Sequence, residues 1–170
     1  MIRKFLAATA VVALGATATP AHAATYLGTE ARNVYSGTSS SDRAVLLGGN
    51  DVARGRGGAD NIYGGSGADY VHGGPGADML SGGTGADMLE GAAGADRIYG
   101  SAGNDLVDPG TGVDQVWLSD GNDEVVLSPD SARDVVWCGE GLDTVSLINR
   151  EDSRDVLHDC EETLVIIISP

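Results

Sequence analysis

From Ile62 to Val125 an aliphatic residue returns at every ninth position: Ile62, Val71, Leu80, Leu89, Ile98, Val107, Val116 and Val125. Polar or variable residues flank each one, as in Asn61-Ile62-Tyr63 and Arg97-Ile98-Tyr99. One inward side chain between two outward ones is the alternation of a very short strand with a single buried face. Between these strands run six residues rich in glycine and closed by aspartate: GRGGAD from Gly55, GGSGAD from Gly64, GGPGAD from Gly73 and GGTGAD from Gly82. Glycine takes positive φ without a Cβ clash, so such a run curls tightly and aims its carbonyls inward. Each unit therefore reads as a six-residue turn and a three-residue strand, with the eighth position the only reliably buried one.

A unit of this size buries nothing alone, and a short period signals a solenoid in which stacked neighbours share one core. Two units make a coil with one strand in each of two parallel sheets. Units two apart then lie one above the other at about 4.8 Å. The closing aspartates recur without a gap and fall into two ladders: Asp42, Asp60, Asp78, Asp96, Asp114 and Asp51, Asp69, Asp87, Asp105, Asp123. A solvated glycine-aspartate linker has no use for a buried residue at every ninth position, so the array is read as folded. Stacked like charges repel by about 3–4 kcal/mol per neighbouring pair at an effective dielectric near 20. Several such pairs exceed the marginal stability of a domain, so a cation is required. Carboxylates and backbone carbonyls form a hard, all-oxygen ligand set that suits calcium, and no histidine or cysteine occupies the repeated columns.

The array resembles the RTX, or haemolysin-type, calcium-binding nonapeptide repeats, in register from Asp42 to Asp123. That resemblance implies an all-β, right-handed parallel β-roll with several calcium ions held between stacked turns. The ligands it implies are Asp51, Asp60, Asp69, Asp78, Asp87, Asp96, Asp105, Asp114 and Asp123. Turn carbonyls of Gly64, Gly65, Gly67, Gly73, Gly74, Gly76, Gly82, Gly83 and Gly85 complete the set. The outer units are degenerate: GTSSSDRAV from Gly37 lacks two turn glycines, and Ala44 and Ala53 replace the larger aliphatics. About four to six ions are expected, each in the weak range of extracellular sites, with folding driven by their binding.

Residues 1–23 read as a secretory signal: Arg3-Lys4, an apolar run from Phe5, and a small-residue cleavage point after Ala23. The organisation expected is a signal peptide at 1–23, an N-terminal cap at 24–36, the roll at 37–126, and degenerate repeats with a C-terminal cap at 127–170. No second hydrophobic span is present, so no membrane span is expected. The full chain carries a net charge of −15. Removing Arg3 and Lys4 leaves 8 basic against 25 acidic residues, −17. Such acidity argues against nucleic acid and anionic membranes as partners. Cys138 and Cys160 in an exported chain read as one disulfide, closing the cap onto the coil before it. Arginine precedes aspartate where the turn glycines are lost, in Ser131-Ala132-Arg133-Asp134 and Asp152-Ser153-Arg154-Asp155. The β-branched run Thr163–Ile168 is expected to close a sheet.

Nothing catalytic stands out. His22, His72 and His158 lack a zinc-protease context, and the serines lack a nucleophile elbow. Trp117 and Trp137 occupy equivalent ninth positions, as surface packing or as a ligand platform. The expectation is a secreted, non-enzymatic calcium-binding β-roll with a structural or adhesive role. A calcium-dependent carbohydrate-binding module is the alternative, so polysaccharide and self-association both remain open as partners.

Overall fold

The computed structural model describes residues 22–148 and 154–166. The apolar stretch of the expected signal, Asp152-Ser153 and Ile167-Ile168 lie outside the described residues. Sixteen strands follow one another, with no helix among the described residues. They begin with β1 (Thr25–Thr29), β2 (Val34–Ser36), β3 (Arg43–Leu47), β4 (Val52–Arg54), β5 (Asn61–Ser66) and β6 (Tyr70–Pro75). The middle holds β7 (Met79–Thr84), β8 (Met88–Ala93), β9 (Arg97–Ala102), β10 (Leu106–Asp108) and β11 (Gln115–Asp120). The end holds β12 (Glu124–Leu127), β13 (Val135–Glu140), β14 (Thr144–Ile148), β15 (Val156–His158) and β16 (Glu162–Ile166).

Odd-numbered strands form one eight-stranded sheet and even-numbered strands the other, and every pairing is parallel. In the first sheet Ile62 lies opposite Leu80, and Leu80 opposite Ile98. One coil is therefore two units, as the periodicity requires. Each aliphatic from Ile62 to Val125 in the eighth-position column has no exposed surface.

Two expectations need correction. The central strands run six residues rather than three, because pairing continues into the turn: Gly65 lies opposite Gly83 and Ser66 opposite Thr84. The eighth position is also not the only buried one. Alternation carries past it, so the first position of the next unit faces inward as well. Leu46, Leu118, Leu127 and Cys138 stand there, each at most 2% exposed. Where that position is glycine, as at Gly64, Gly73 and Gly82, the backbone itself is buried.

The ends are closed by worn repeats. Tyr26 and Tyr35 pack ring to ring at 5.1 Å under the first coil. At the other end β16 adds to β14 with Thr144 opposite Glu162, so the tail does close a sheet. The two-residue insertion after Val126 lengthens the spacing between stacked aspartates from 18 to 20 residues. Asp130 fills the enlarged turn, its carboxylate accepting the N–H groups of Gly112 and Ala132 at 2.5 and 2.8 Å. Cys138 and Cys160 are paired across the last coils with their α-carbons 5.1 Å apart.

Candidate metal centre

Every aspartate from Asp42 to Asp123 in the series is at most 3% exposed. The turn places each one where two coils touch. Its backbone N–H donates to Oδ1 of the aspartate one coil later, at 2.7–2.9 Å from Asp42→Asp60 through Asp105→Asp123. Its carbonyl accepts an N–H from that same coil, as Asp60 does from Met79 and Asp69 from Met88, both at 2.8 Å. One oxygen of each carboxylate is therefore spent on holding the stack together.

The other oxygen has no such use. Oδ2 of Asp51, Asp60, Asp69, Asp78, Asp87, Asp96, Asp105, Asp114 and Asp123 is buried and accepts no hydrogen bond from the protein. An orphaned buried carboxylate oxygen is among the costliest groups a fold can hold. The first-position glycines show what lies beside it. A Cβ on Gly64 would meet Oδ2 of Asp69 at 2.5 Å and the carbonyl oxygen of Gly82 at 2.6 Å. Gly55 has the same neighbours in Asp60 Oδ2 and the Gly73 carbonyl, and Gly100 has Asp105 Oδ2 and the Leu118 carbonyl. At these three positions glycine leaves room beside the carboxylate, and none of the three takes a positive φ.

The second and fourth turn positions add carbonyls from the opposite side. Those of Gly65 and Gly67 are directed at the α-carbons of Gly83 and Gly85 in the next coil, and that of Gly76 at Gly94. The gap between the turns Gly64–Asp69 and Gly82–Asp87 thus receives the carbonyls of Gly65, Gly67 and Gly82 together with Asp69 Oδ2. Of the glycines expected from sequence, Gly65, Gly67, Gly73, Gly76, Gly82 and Gly85 turn a carbonyl toward a neighbouring coil. Gly64, Gly74 and Gly83 lie in the same turns, their α-carbons against the carbonyls of Gly82, Arg56 and Gly65. No three His, Cys, Asp or Glu side chains converge among the described residues. The donor set is one carboxylate oxygen with backbone carbonyls, which fits a hard cation of flexible coordination.

Electrostatics agree with the geometry. Burial pushes Asp87 and Asp114 up to about 7, and Asp60, Asp78, Asp96 and Asp123 up to about 6. Carboxylates one coil away add to the rise at Asp60, Asp78, Asp87, Asp114 and Asp123. Burial also raises Asp69 and Asp105. A rise from 3.8 to about 6 corresponds to roughly 3 kcal/mol against ionisation, the deficit that a bound cation would remove.

Asp42 differs. Its Oδ2 accepts the Thr38 N–H at 2.5 Å and its Oδ1 the Ala24 N–H at 2.5 Å, so the carboxylate is satisfied within the protein. In the other ladder Asn33 sends its N–H to Asp51 Oδ1 at 2.5 Å and adds a side-chain bond at 3.0 Å, a neutral first rung.

The ladders also run further than the nine-residue series. Asp114 donates to Asp134, Asp123 to Asp143, and Asp134 to Asp155, at 2.9, 2.9 and 3.0 Å. Glu161 takes the last rung, accepting from Asp143 at 3.2 Å. Asp143 is fully buried, its carboxyl is raised by burial, and its Oδ2 has no partner. It was not among the ligands expected from sequence, which end at Asp123. Its signal was present in Cys138-Gly-Glu-Gly-Leu-Asp143, displaced by the insertion. Arg154 lies on the surface and donates to the Ser131 carbonyl at 2.7 Å.

The family model of the RTX calcium-binding nonapeptide repeat, four copies long, matches residues 36–71, 46–80 and 81–116. No curated protein matches the chain.

Proposed function

We propose, from the premise that residues 36–116 are an array of RTX calcium-binding nonapeptide repeats with Ca2+ as their ion, that this is an exported protein whose roll folds as calcium enters the gaps between stacked turns. The observation that carries this reading is the row of buried Oδ2 atoms beside glycine carbonyls, each a fixed negative charge lacking a partner. Bound calcium supplies the positive charge that cancels this array. The chain's own groups do the rest. Oδ1 locks each coil to the one before it, the glycine columns leave room for the oxygens, and the aliphatic column excludes water from one side. Asp51 to Asp123, with Asp143 added, are the carboxylates we assign to the ions. The role is structural or adhesive rather than catalytic. Export would bring the chain from low to millimolar calcium, and the signal-like residues before Ala24 support that route. In this setting the Cys138–Cys160 pair is a disulfide.

The assignment is tested at Asp78. Asparagine keeps the Oδ1 acceptor but places an N–H donor where Oδ2 stood, beside the Gly91 carbonyl in the case of Asp78. Asp78→Asn should therefore stabilise the calcium-free roll by about 1–3 kcal/mol while removing an ion from the calorimetric stoichiometry. Unchanged stoichiometry would count against the assignment. Cys138→Ser should lower stability by about 3 kcal/mol in denaturant titrations at saturating calcium. Its effect should match that of Cys160→Ser, because either change removes the same crosslink.

A further inference from the structure

The two sheets present different outer faces. In the odd-numbered sheet the outward columns run from Thr25 to Val156 and from Leu27 to His158. Neither column contains a carboxylate, although the chain carries a net charge of −15, and the first holds Arg43 and Arg97. The even-numbered sheet has Glu90, Asp108, Glu124 and Glu162 in the corresponding columns. Both tryptophans of the chain lie on the acid-free face. Tyr99, Trp117, Trp137 and His158 stack there in one file, with centroids 4.7, 4.8 and 5.4 Å apart and planes within 11° of parallel.

Stacking covers both faces of Trp117 and Trp137, so they offer ring edges, and neither indole N–H is bonded to another described residue. Tyr99 is covered on one side only. Its other side looks over Ser81, the small residue that interrupts the file, and no ring or guanidinium stacks there among the described residues. Beyond the gap Tyr63 is turned aside, its hydroxyl 3.6 Å from the Met79 sulfur and its ring under Arg43 at 5.6 Å. The result is a notch floored by a hydroxyl, walled by an open aromatic face, and flanked by Arg97 and Met79.

We propose that this face binds a neutral saccharide, one sugar ring stacking on Tyr99 above Ser81. Its hydroxyls are taken by Arg97, Asn61 and the edge donors of the file. An open aromatic face bordered by planar polar side chains suits a ring with an apolar face and a polar rim. The net charge disfavours polyanions. A second copy is the poorer occupant. Two columns about 7 Å apart over eight rungs of about 4.8 Å offer on the order of 250 Å², against about 800 Å² per partner in a stable dimer.

The inference rests on the calcium-loaded roll being the folded form, so each variant is first checked by circular dichroism with calcium. Failure at that step overturns the calcium reading and is seen before any sugar is added. Cellohexaose, chitohexaose and maltohexaose are then titrated while tryptophan emission is recorded, since both tryptophans report from this file. At least one should give a saturable change. Ser81→Tyr should fill the notch and extend the file, leaving the melting temperature equal or higher while weakening binding about tenfold, the scale of one lost aromatic contact. Tyr99→Ala should weaken binding equally, and Met88→Ala on the opposite sheet should not. No saturable change with any sugar would overturn the proposal, as would full binding by Ser81→Tyr. A concentration-dependent dimer abolished by Ser81→Tyr would also overturn it, by showing that a second copy occupies the face.

A separate observation carries a second inference. Ala24 stands 18 residues before Asp42, and its nitrogen donates to Asp42 Oδ1 at 2.5 Å. It is also the residue that follows the expected cleavage point. We infer that processing converts this amide into an α-ammonium group, which ion-pairs with Asp42 and closes the ladder with a built-in cation. Charge-assisted bonds of this kind are about twice as strong as neutral ones. Asp42→Asn should then lower the melting temperature of a chain beginning at Ala24 by about 2–4 °C more than that of a chain with three extra residues before it. Equal effects in the two chains would overturn the inference, as would an exported product whose mass shows another first residue.

Discussion

In excess chelator at pH 8, the chain is expected to lose its β-sheet dichroism and cooperative melting, and added calcium should restore both. The basis is the burial of the ladders. Ten carboxylates, Asp51 to Asp123 and Asp143, hold an oxygen that no protein group neutralises. Burial raises six of them to about 6 or 7, and neighbouring carboxylates add to the rise at all but Asp96. The sign of the pH effect follows. These groups ionise more easily in the unfolded chain, near 3.8, than in the roll. Stability from their protonated form is fully present below about pH 4 and is lost as pH rises through 6 to 7. The chelated chain should therefore gain structure on acidification from pH 8 to pH 4.5, the reverse of ordinary acid denaturation. With calcium bound the dependence should reverse, because protons then compete with the ion. Dichroism and melting at both pH values, each with and without calcium, give the four measurements. Equal structure at pH 8 with and without calcium would sink the reading.

Gly85→Ala should be among the most damaging single methyls in the roll, as should the same change at the equivalent Gly94 and Gly112, costing about 3 kcal/mol or more. Gly85 has φ of +130°, outside the compact left-handed well that side chains visit, and its Cβ would fall onto the Gly67 carbonyl. That atom is backbone and cannot swing aside. It is also one of the oxygens facing the inter-coil gap, so displacement should weaken calcium binding along with stability. The second turn position gives the contrast. Arg56, Ala92, Ser101 and Ser119 occupy it with φ between 80° and 87°, so the chain already tolerates side chains there. Gly74→Ala should cost only about 1–2 kcal/mol. Denaturant titration at saturating calcium separates the two, and a Gly85→Ala loss no larger than that of Gly74→Ala would refute the distinction between the columns.

Much of the candidate site was legible in the residues. The aspartate series, the aliphatic column and the resemblance to RTX repeats all named the parts that stack. Two features hid behind the period. Asp143 was left out of the expected ligands because it follows two inserted residues, although the register resumes at it and the hydrogen-bonded ladder simply enlarges the turn around Asp130 and carries on. The inward first position was missed because glycine leaves no apolar mark in a sequence, and only Leu46, Leu118, Leu127 and Cys138 betray that it faces the core. Arg154, which precedes an aspartate where the turn glycines are lost, reaches the Ser131 carbonyl 23 residues earlier.

By itself the sequence determined the coil, the pairing of units two apart and the chemistry of the ion, because a repeated unit that cannot bury itself has few ways to stack. Tertiary structure alone decided how each carboxylate divides its oxygens, one to the neighbouring coil and one left without a partner. It also decided which outer face is free of acid and where the aromatic file is interrupted. These are relations between residues eighteen or more positions apart, and they exist only once the coils are in register.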